Sequence, residues 1–365
     1  MAQIFSKKEG ILTRLFKHKL VSNVAIGLII IFHFSILIYS GNGKLQLYKK
    51  ANRLTENGVI LFVNILRNIL LATMNTIGTI WIVKNYISSL PIANCRTRLL
   101  GRVTFFQMTG LVPLVFCIYF IGDQVGWSIY KYFVPEELWF FVMHLMICKY
   151  IVVASRIKKN FNGVNRRLAK FMNNDDSSES YSINIITFKN HQVMYDRIQQ
   201  LNYRFNEFCN VLDKFNELFK GVVVMGMICI MMNILYNCTM LIEHIGNPYY
   251  RYKVKLAAAV SQPLMAIVSV GQAAAIAFIG ESLQEEGEHT IRLCFMILNK
   301  LNKNLQWDSN LSTKEQIRFL LNQSKSRKVC LHAGGFFKLN WGILGAITTT
   351  VATYSIVIIQ FLLKY

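Results

Sequence analysis

Acidic residues are scarce in this chain. Nineteen aspartates and glutamates stand against 40 lysines and arginines, which gives a formal net charge of +21. Such an excess of positive charge is common in nucleic-acid-binding proteins. Here, however, the basic residues lie in stretches between apolar blocks, as they do in the cytoplasmic loops of membrane proteins. We therefore expect a membrane protein with no nucleic acid among its partners.

Motifs for catalysis and metal binding are also missing. The chain has no G-x-S-x-G, P-loop or HExxH motif, and the glutamates after residue 280 (Glu281, Glu285, Glu286 and Glu288) are interpreted as a solvated cytoplasmic face. Eight cysteines are scattered without a CxxC pair, which is typical of small buried hydrophobic residues. The sequence predicts a protein that is not an enzyme and binds no cofactor or metal.

The sequence does contain long apolar blocks, and 53% of its residues are hydrophobic. About 20 apolar residues suffice for a helix to cross a bilayer. Seven blocks are long enough: 21–39, 59–83, 103–122, 137–155, 219–242, 256–280 and 339–363. The first lacks a small-residue cleavage site behind it, so we interpret it as a span that also serves as the insertion signal. The predicted fold is an all-α membrane protein with seven transmembrane helices.

The distribution of positive charge predicts the orientation of these spans. The N-terminus and the stretches 84–102, 156–218 and 281–338 together hold 28 lysines and arginines, whereas the alternate stretches hold nine. Positive charge favours the cytoplasmic side. The N-terminus is therefore expected in the cytoplasm and, after seven crossings, the C-terminus outside the cell. This orientation is opposite to that of G-protein-coupled receptors.

Apolar residues at heptad spacing follow span four, precede span five and follow span six, so each of these three helices is predicted to extend beyond the membrane. Shorter seams run from Ile157 to Phe171 and from Ile291 to Leu305. The longest seam consists of Met194, Ile198, Leu201, Phe205, Phe208, Leu212, Phe215 and Phe219. Such spacing favours helices that pack together, and three separate amphipathic surface helices are the alternative. We expect cytoplasmic helical extensions that form an anchor bundle.

A shorter cytoplasmic helix is predicted before the last span. Ser312 and Glu315 have the spacing of a capping box, and apolar residues follow them. The helix is expected to end around Gly334 and Gly335, because glycine lets the chain change direction.

The last span carries a narrow polar edge. One face of the helix holds Ala346, Thr349, Thr353, Val357, Gln360 and Lys364. An unpaired amide in hydrocarbon costs several kcal/mol, so this edge faces a partner helix or water. Gln360 either lines a shared aqueous conduit or forms hydrogen bonds within its own subunit.

The end of the chain resembles the C-terminal signature of the insect gustatory receptor family. The resemblance rests on Thr353-Tyr354 and Gln360-Phe361, separated by five residues, and on the upstream segment 333–340. It implies a gustatory chemoreceptor that acts as a ligand-gated, non-selective cation channel in the plasma membrane of a sensory neuron. Its expected partners are a small-molecule tastant, membrane lipid and related receptors in a homo- or hetero-tetramer.

The resemblance also implies roles for individual residues and segments. The last helices of four subunits would surround an ion pore, with Gln360 near its outer mouth and Val357 about one turn deeper as an apolar constriction. Thr353 and Phe361 would also line the pore, Tyr354 would have a structural role, and Gly334 with Gly335 would form the break before the span. The implied domains are 1–280 with the ligand-pocket helices, 281–338 with the anchor helices, and 339–365 with the pore helix.

A tastant pocket must be reached from outside the cell. Aromatic rings and amides can hold a sugar or a planar bitter compound, although the aromatic belt of a membrane interface explains many of the same residues. The candidates are Arg67, Tyr119, Asp123, Gln124, Trp127, Trp139, His144, Asn233, Tyr236, Asn237 and Glu243. Arg67 alternatively snorkels to the outer interface, and His144 alternatively forms a hydrogen-bonded helix contact. Sugar, bitter compound and pheromone all stay open as ligands.

Two other functions are compatible with seven spans. One is a receptor that signals through a cytoplasmic partner bound to the basic loops. The other is a secondary transporter, which would show internal repeats with broken helices in matching positions. We find no such repeats between the two halves of the chain.

Overall fold

The computed structural model describes residues 31, 34–43, 46, 69, 73, 115, 116, 118–123, 126–131, 133–173, 185–246, 252–303 and 311–363. Most of predicted spans one, two and three, and the candidates Arg67 and Gln124, lie outside these residues.

The structure gives the bounds of six helices and one small hairpin among the described residues. The helices are α1 (Trp127–Tyr130), α2 (Val134–Asn173), α3 (Ile185–Gly246), α4 (Tyr252–Lys303), α5 (Leu311–Ser326) and α6 (Gly342–Leu363). The strands β1 (His332–Ala333) and β2 (Phe337–Lys338) pair antiparallel. Four helices, α2, α3, α4 and α6, are long and apolar enough to cross a membrane. They coincide with predicted spans four to seven, which confirms the mostly helical membrane fold.

Three of these helices are far longer than a membrane requires. Helix α2 has 40 residues, α3 has 62 and α4 has 52, whereas about 20 residues cross a bilayer. Each helix contributes to two compact units. The membrane unit comprises 1–149, 222–273 and 345–365, and the extension unit comprises 150–221 and 274–344. This grouping differs from the consecutive domains 1–280, 281–338 and 339–365, because every long helix takes part in both units.

The extension unit is built on the heptad seams. Phe161 and Phe205 are fully buried and pack edge to face with ring centroids 5.6 Å apart, while Tyr150 packs against Phe215 and Phe219. Further buried seam residues are Ile157, Val164, Leu168, Ile198, Leu201, Leu212, Cys294, Leu298 and Leu301. The extensions therefore pack against one another and are not separate surface helices. Leu305 lies outside the described residues.

A partly buried polar cluster joins α2 to α4 within this unit. Asn162 Nδ2 donates to Glu286 Oε1 at 2.9 Å, and Asn165 Nδ2 donates to both Glu286 Oε2 and the Glu286 carbonyl at 2.9 Å. Thr290 Oγ1 donates to Asn165 Oδ1 at 2.6 Å. We call these four residues the Glu286 clasp. Glu286 was predicted on a solvated face, but its side chain is half-buried, because two amides on a neighbouring helix bind its carboxylate.

Removal of the central amide of the clasp should destabilise the extension unit. We expect Asn165→Ala to lower the free energy of unfolding by about 1–3 kcal/mol, because Glu286 Oε2 and the Thr290 hydroxyl lose a buried partner. Thermal unfolding of the purified protein in detergent measures this change. Asn160→Ala is the matched control, since Asn160 lies on the same helix but is exposed. Equal melting temperatures for the two variants would contradict the assigned role of the clasp.

Helix α5 ends earlier than predicted. It stops at Ser326 rather than near Gly334, because the following backbone forms a hairpin and hydrogen bonds with α3 instead of a further helical turn. Asn216 Nδ2 donates to the Cys330 carbonyl at 3.1 Å, and the His332 N–H donates to Asn216 Oδ1 at 3.4 Å. The Asn216 side chain thus binds a backbone carbonyl and a backbone N–H of this segment.

The two glycines do reverse the chain, as predicted, within a tight hairpin. Gly334 has φ +60° and Gly335 has φ +83°, a region that favours glycine. The Phe336 N–H donates to the Ala333 carbonyl at 3.0 Å, and His332 lies opposite Lys338. The hairpin, residues 331–339, is the last structure before α6.

Two glycines of α4 allow the backbone around the hairpin to approach closely. A Cβ placed on Gly280 would lie 1.9 Å from the Leu339 carbonyl oxygen, and one on Gly287 would lie 2.6 Å from Val329 Cβ. Leu331, Ala333 and Leu339 are buried. The segment leading into α6 is therefore held by α3 on one side and by α4 on the other.

Candidate pore helix and ligand pocket

Helix α6 has a defined start. Asn340 Oδ1 accepts a hydrogen bond from the Gly342 N–H at 3.1 Å, and the Asn340 carbonyl accepts from the Ile343 N–H. An asparagine in this position satisfies a backbone donor that the first helical turn leaves free. The chain thus changes from hairpin to helix within three residues.

The rest of the described chain covers little of α6. In the most apolar 18-residue stretch of each helix, 11% of α6 is buried, against 56% of α2, 56% of α3 and 44% of α4. The buried residues Ile343, Ile347 and Ile358 lie on one side of the helix. Within the part of the chain that the structure describes, α6 therefore packs along one narrow stripe, and the rest of its apolar surface is exposed.

The polar edge of α6 points away from that stripe. Ala346, Thr349, Thr353, Val357 and Gln360 are all exposed. At 100° per residue, Thr349, Thr353 and Gln360 lie about 120–180° around the helix from Ile347 and Ile358, whereas Ala346 and Val357 lie about 80–120° from them. The Thr353 hydroxyl donates to the Thr349 carbonyl at 2.9 Å, so it is satisfied within the helix. The Gln360 amide has no hydrogen bond to the described part of the chain. This geometry disfavours the alternative in which Gln360 is paired inside its own subunit.

The remaining residues of the C-terminal motif are less constrained. Tyr354 is 55% exposed, so most of its ring is available to a surface outside the chain. Phe361 belongs to α6, but its side chain lies outside the described residues. The structural role of Tyr354 and the pore position of Phe361 stay predictions.

Buried polar side chains link the spans of the membrane unit. Gln272 Nε2 of α4 lies 2.8 Å from His144 Nδ1 of α2, and Cys148 Sγ lies 3.4 Å from His144 Nε2. An amide that donates to Nδ1 leaves the Nε2 proton directed at the sulfur. Both ring nitrogens therefore have partners within the protein, which favours the helix-contact interpretation of His144.

A second pair lies one turn away on α4. Asn233 Nδ2 of α3 donates to Ser269 Oγ at 2.7 Å, and the Ser269 hydroxyl donates to the Met265 carbonyl. Because residues three apart share a helix face, Ser269 and Gln272 form a polar ladder that contacts α2 and α3. We name His144, Asn233, Ser269 and Gln272 the membrane ladder. Sequence reasoning missed Ser269 and Gln272, although two polar residues one turn apart in an apolar span were a usable signal.

Other predicted pocket residues of α2 and α3 are buried as well. Tyr236 packs with Met232 and Met240, and Asn237 Nδ2 donates to the Asn233 carbonyl at 2.7 Å. Trp139 and Glu243 are also buried. These residues are parts of the helix packing of the membrane unit, so a ligand would reach them only through an opening between spans.

A second group of candidates is exposed. Tyr119 is 72% exposed and Trp127 is 52% exposed, and Asp123 is exposed too. A Cβ on Gly122 would lie 2.7 Å from the Trp127 indole, and Trp127 packs edge to face with Tyr130. The structure thus gathers aromatic residues around α1 and separates the predicted pocket residues into an exposed aromatic group and the buried membrane ladder.

The cysteines behave as small buried residues. Six described cysteines are free, and four of them are buried. Burial raises the pKa of the Cys330 thiol, and the positive charges of Lys338 and Lys328 partly oppose that shift. Within the described residues, no three His, Cys, Asp or Glu side chains lie close enough to hold a metal ion.

These features define an integral membrane protein with long helical extensions and one apolar, polar-edged helix left largely uncovered. The model of the 7tm chemosensory receptor family matches residues 10–365. The chain therefore belongs to this family, and the resemblance to insect gustatory receptors is confirmed at that level. The family is one of receptors rather than enzymes. No curated protein matches the chain.

Proposed function

We propose that this chemosensory receptor is a gustatory receptor of the plasma membrane and a ligand-gated, non-selective cation channel. Four copies, or copies mixed with related receptors, assemble around a central pore lined by α6. Binding of a small tastant in the membrane unit opens the pore. In this proposal the basic stretches keep the N-terminus in the cytoplasm, and seven spans then bring the C-terminus outside.

The observation that carries the proposal is the exposure of the threonine–glutamine edge of α6. An apolar helix that its own subunit leaves bare must be covered by lipid or by other copies. The hydrocarbon chains of lipid cannot pair the Gln360 amide, whereas water in a pore can. An edge with Thr353, Val357 and Gln360 on an otherwise apolar helix suits a helix that faces water on one narrow side.

The chemistry of the edge supports weak selectivity. An amide ring replaces part of the hydration shell of an ion, and an apolar ring closes a narrow pore by dewetting. No aspartate or glutamate lies on α6, so no ring of negative charge would select strongly among cations. Lys364 would turn outward into solvent at the outer end.

The experiment is to express the full chain, alone and with related receptors, and to record currents. A ligand-dependent cation current that persists in excised patches supports the channel. A current that requires a diffusible messenger would instead support the alternative, a seven-span receptor that signals through a cytoplasmic partner.

A charge at Gln360 should change permeation. We expect Gln360→Glu to raise the permeability of cations over chloride about tenfold, since a ring of carboxylates at the mouth needs to add only about 1.4 kcal/mol of discrimination. Reversal potentials in sodium chloride gradients measure this ratio. Gln200→Glu, the same change at an exposed position of α3, is the control. Unchanged permeation in Gln360→Glu would remove this residue from the pore.

A further inference from the structure

The tip of the hairpin exposes an aromatic side chain beside lysines. Phe336 is 80% exposed, although it is fully apolar. A Cβ on Gly334 would lie 3.4 Å from the Phe336 ring and 3.5 Å from Lys220 Cβ, so Lys220 of α3 stands next to the tip. Lys338 is exposed on β2. We call Lys220, Phe336 and Lys338 the tip patch.

Further aromatic and basic residues lie where the chain leaves the hairpin. Trp341 is 48% exposed and packs edge to face on Phe278 of α4, with centroids 6.5 Å apart. Lys158 Nζ of α2 lies 5.9 Å from the centroid of the Phe278 ring. All these residues belong to the extension unit. Half-exposed tryptophan together with lysine is typical of the ends of membrane spans.

The charge of the tip patch is positive. Glu217 forms an ion pair with Lys220 at 2.5 Å, but the two side chains are 71% and 53% exposed. Water screens an exposed pair of this kind, so it contributes little and does not withhold the lysine from another anion. Lys338 adds a second cation on the strand that follows the turn.

The chain also fixes where the patch meets the membrane. Helix α6, an apolar helix able to span the bilayer, begins at Gly342, only four residues after Lys338. The patch is thus tethered to the end of a span, at the level where lipid headgroups begin. In the proposed orientation this is the cytoplasmic leaflet, which carries the anionic lipids.

We propose that the tip patch binds an anionic phospholipid of the cytoplasmic leaflet. Lys220 and Lys338 pair with the net negative charge of the headgroup, which phosphatidylcholine lacks, and Phe336 inserts among the acyl chains beside it. The lipid would thereby fix the hairpin from which α6 starts. The binding itself does not require the protein to be a channel; only the choice of leaflet rests on the proposed orientation.

The test is the binding of single lipids to purified, delipidated full-length protein by native mass spectrometry. Phosphatidylserine and phosphatidylcholine with the same acyl chains are the two probes. For Lys220→Gln with Lys338→Gln, we expect phosphatidylserine affinity to fall about fivefold for each lysine removed and phosphatidylcholine affinity to stay constant. Phe336→Ala should weaken both lipids equally, because it removes an apolar contact that does not depend on the headgroup.

Lys214→Gln with Arg318→Gln is the matched control, since both residues are exposed in the same unit and the change in net charge is identical. The control variant should keep the affinity of the wild-type protein. Three results would overturn the proposal: equal phosphatidylserine binding by the lysine variant and the wild type, an equal loss in the control variant, or complete displacement of the lipid by inorganic phosphate at the same concentration. The last result would indicate a site for free anions.

Discussion

Val357→Ser is expected to produce a steady cation current without ligand, roughly tenfold above that of the wild-type protein. Val357 lies on the exposed edge of α6 and is 40% exposed in the single chain. If four such side chains close the pore by excluding water, a hydroxyl that holds water at this ring removes the barrier. Whole-cell recording in the absence of tastant measures the current, and replacement of sodium by a large organic cation identifies it.

Ile359 supplies the control. It is also apolar, is half-buried, and lies about 160° around the helix from Val357. Ile359→Ser introduces the same hydroxyl on a surface that would face lipid or a neighbouring subunit. It should leave the resting current unchanged. A resting current of equal size in both serine variants would mean that α6 has merely been destabilised, and the constriction would not be at Val357.

Gly280→Ala is expected to be the most destabilising small substitution in the described part of α4. The added Cβ would lie 1.9 Å from the Leu339 carbonyl oxygen, a backbone atom that cannot rotate away. Either α4 or the hairpin must shift, so we expect the free energy of unfolding to fall by about 3 kcal/mol. Because Leu339 leads directly into α6, ligand-dependent current should be lost as well. Thermal unfolding and surface expression measure the two effects.

Substitutions of two other glycines of α4 distinguish the effect of a steric clash from the effect of replacing any helical glycine with alanine. A Cβ on Gly271 meets nothing within 4 Å, so Gly271→Ala should be neutral or stabilising by up to about 1 kcal/mol. A Cβ on Gly287 meets the Val329 side chain rather than backbone, so Gly287→Ala should have an intermediate effect. If Gly280→Ala and Gly271→Ala unfolded at the same temperature, the close approach of the hairpin to α4 would be disproved.

Neither the clasp nor the hairpin was predicted from the sequence, and the contacts within the extension unit show the reason. The heptad seams were predictable because their signal is local: residues three and four apart must share a helix face. Glu286 looked like its neighbours Glu285 and Glu288, which are exposed. It differs only because Asn162 and Asn165, more than 120 positions earlier, lie opposite it in the folded protein. No period within the sequence carries that information.

The same limit applies to the membrane unit and to α6. Periodicity and composition determined that residues 137–155, 219–242, 256–280 and 339–363 form spanning helices, and that one face of the last helix is polar. Only the tertiary structure decided that Ile347 and Ile358 pack inward while Gln360 stays uncovered, and that Gln272 rather than a ligand meets His144. Local backbone and hydropathy preferences act on residues close in the chain, whereas burial and hydrogen-bond partners depend on which distant segments come together.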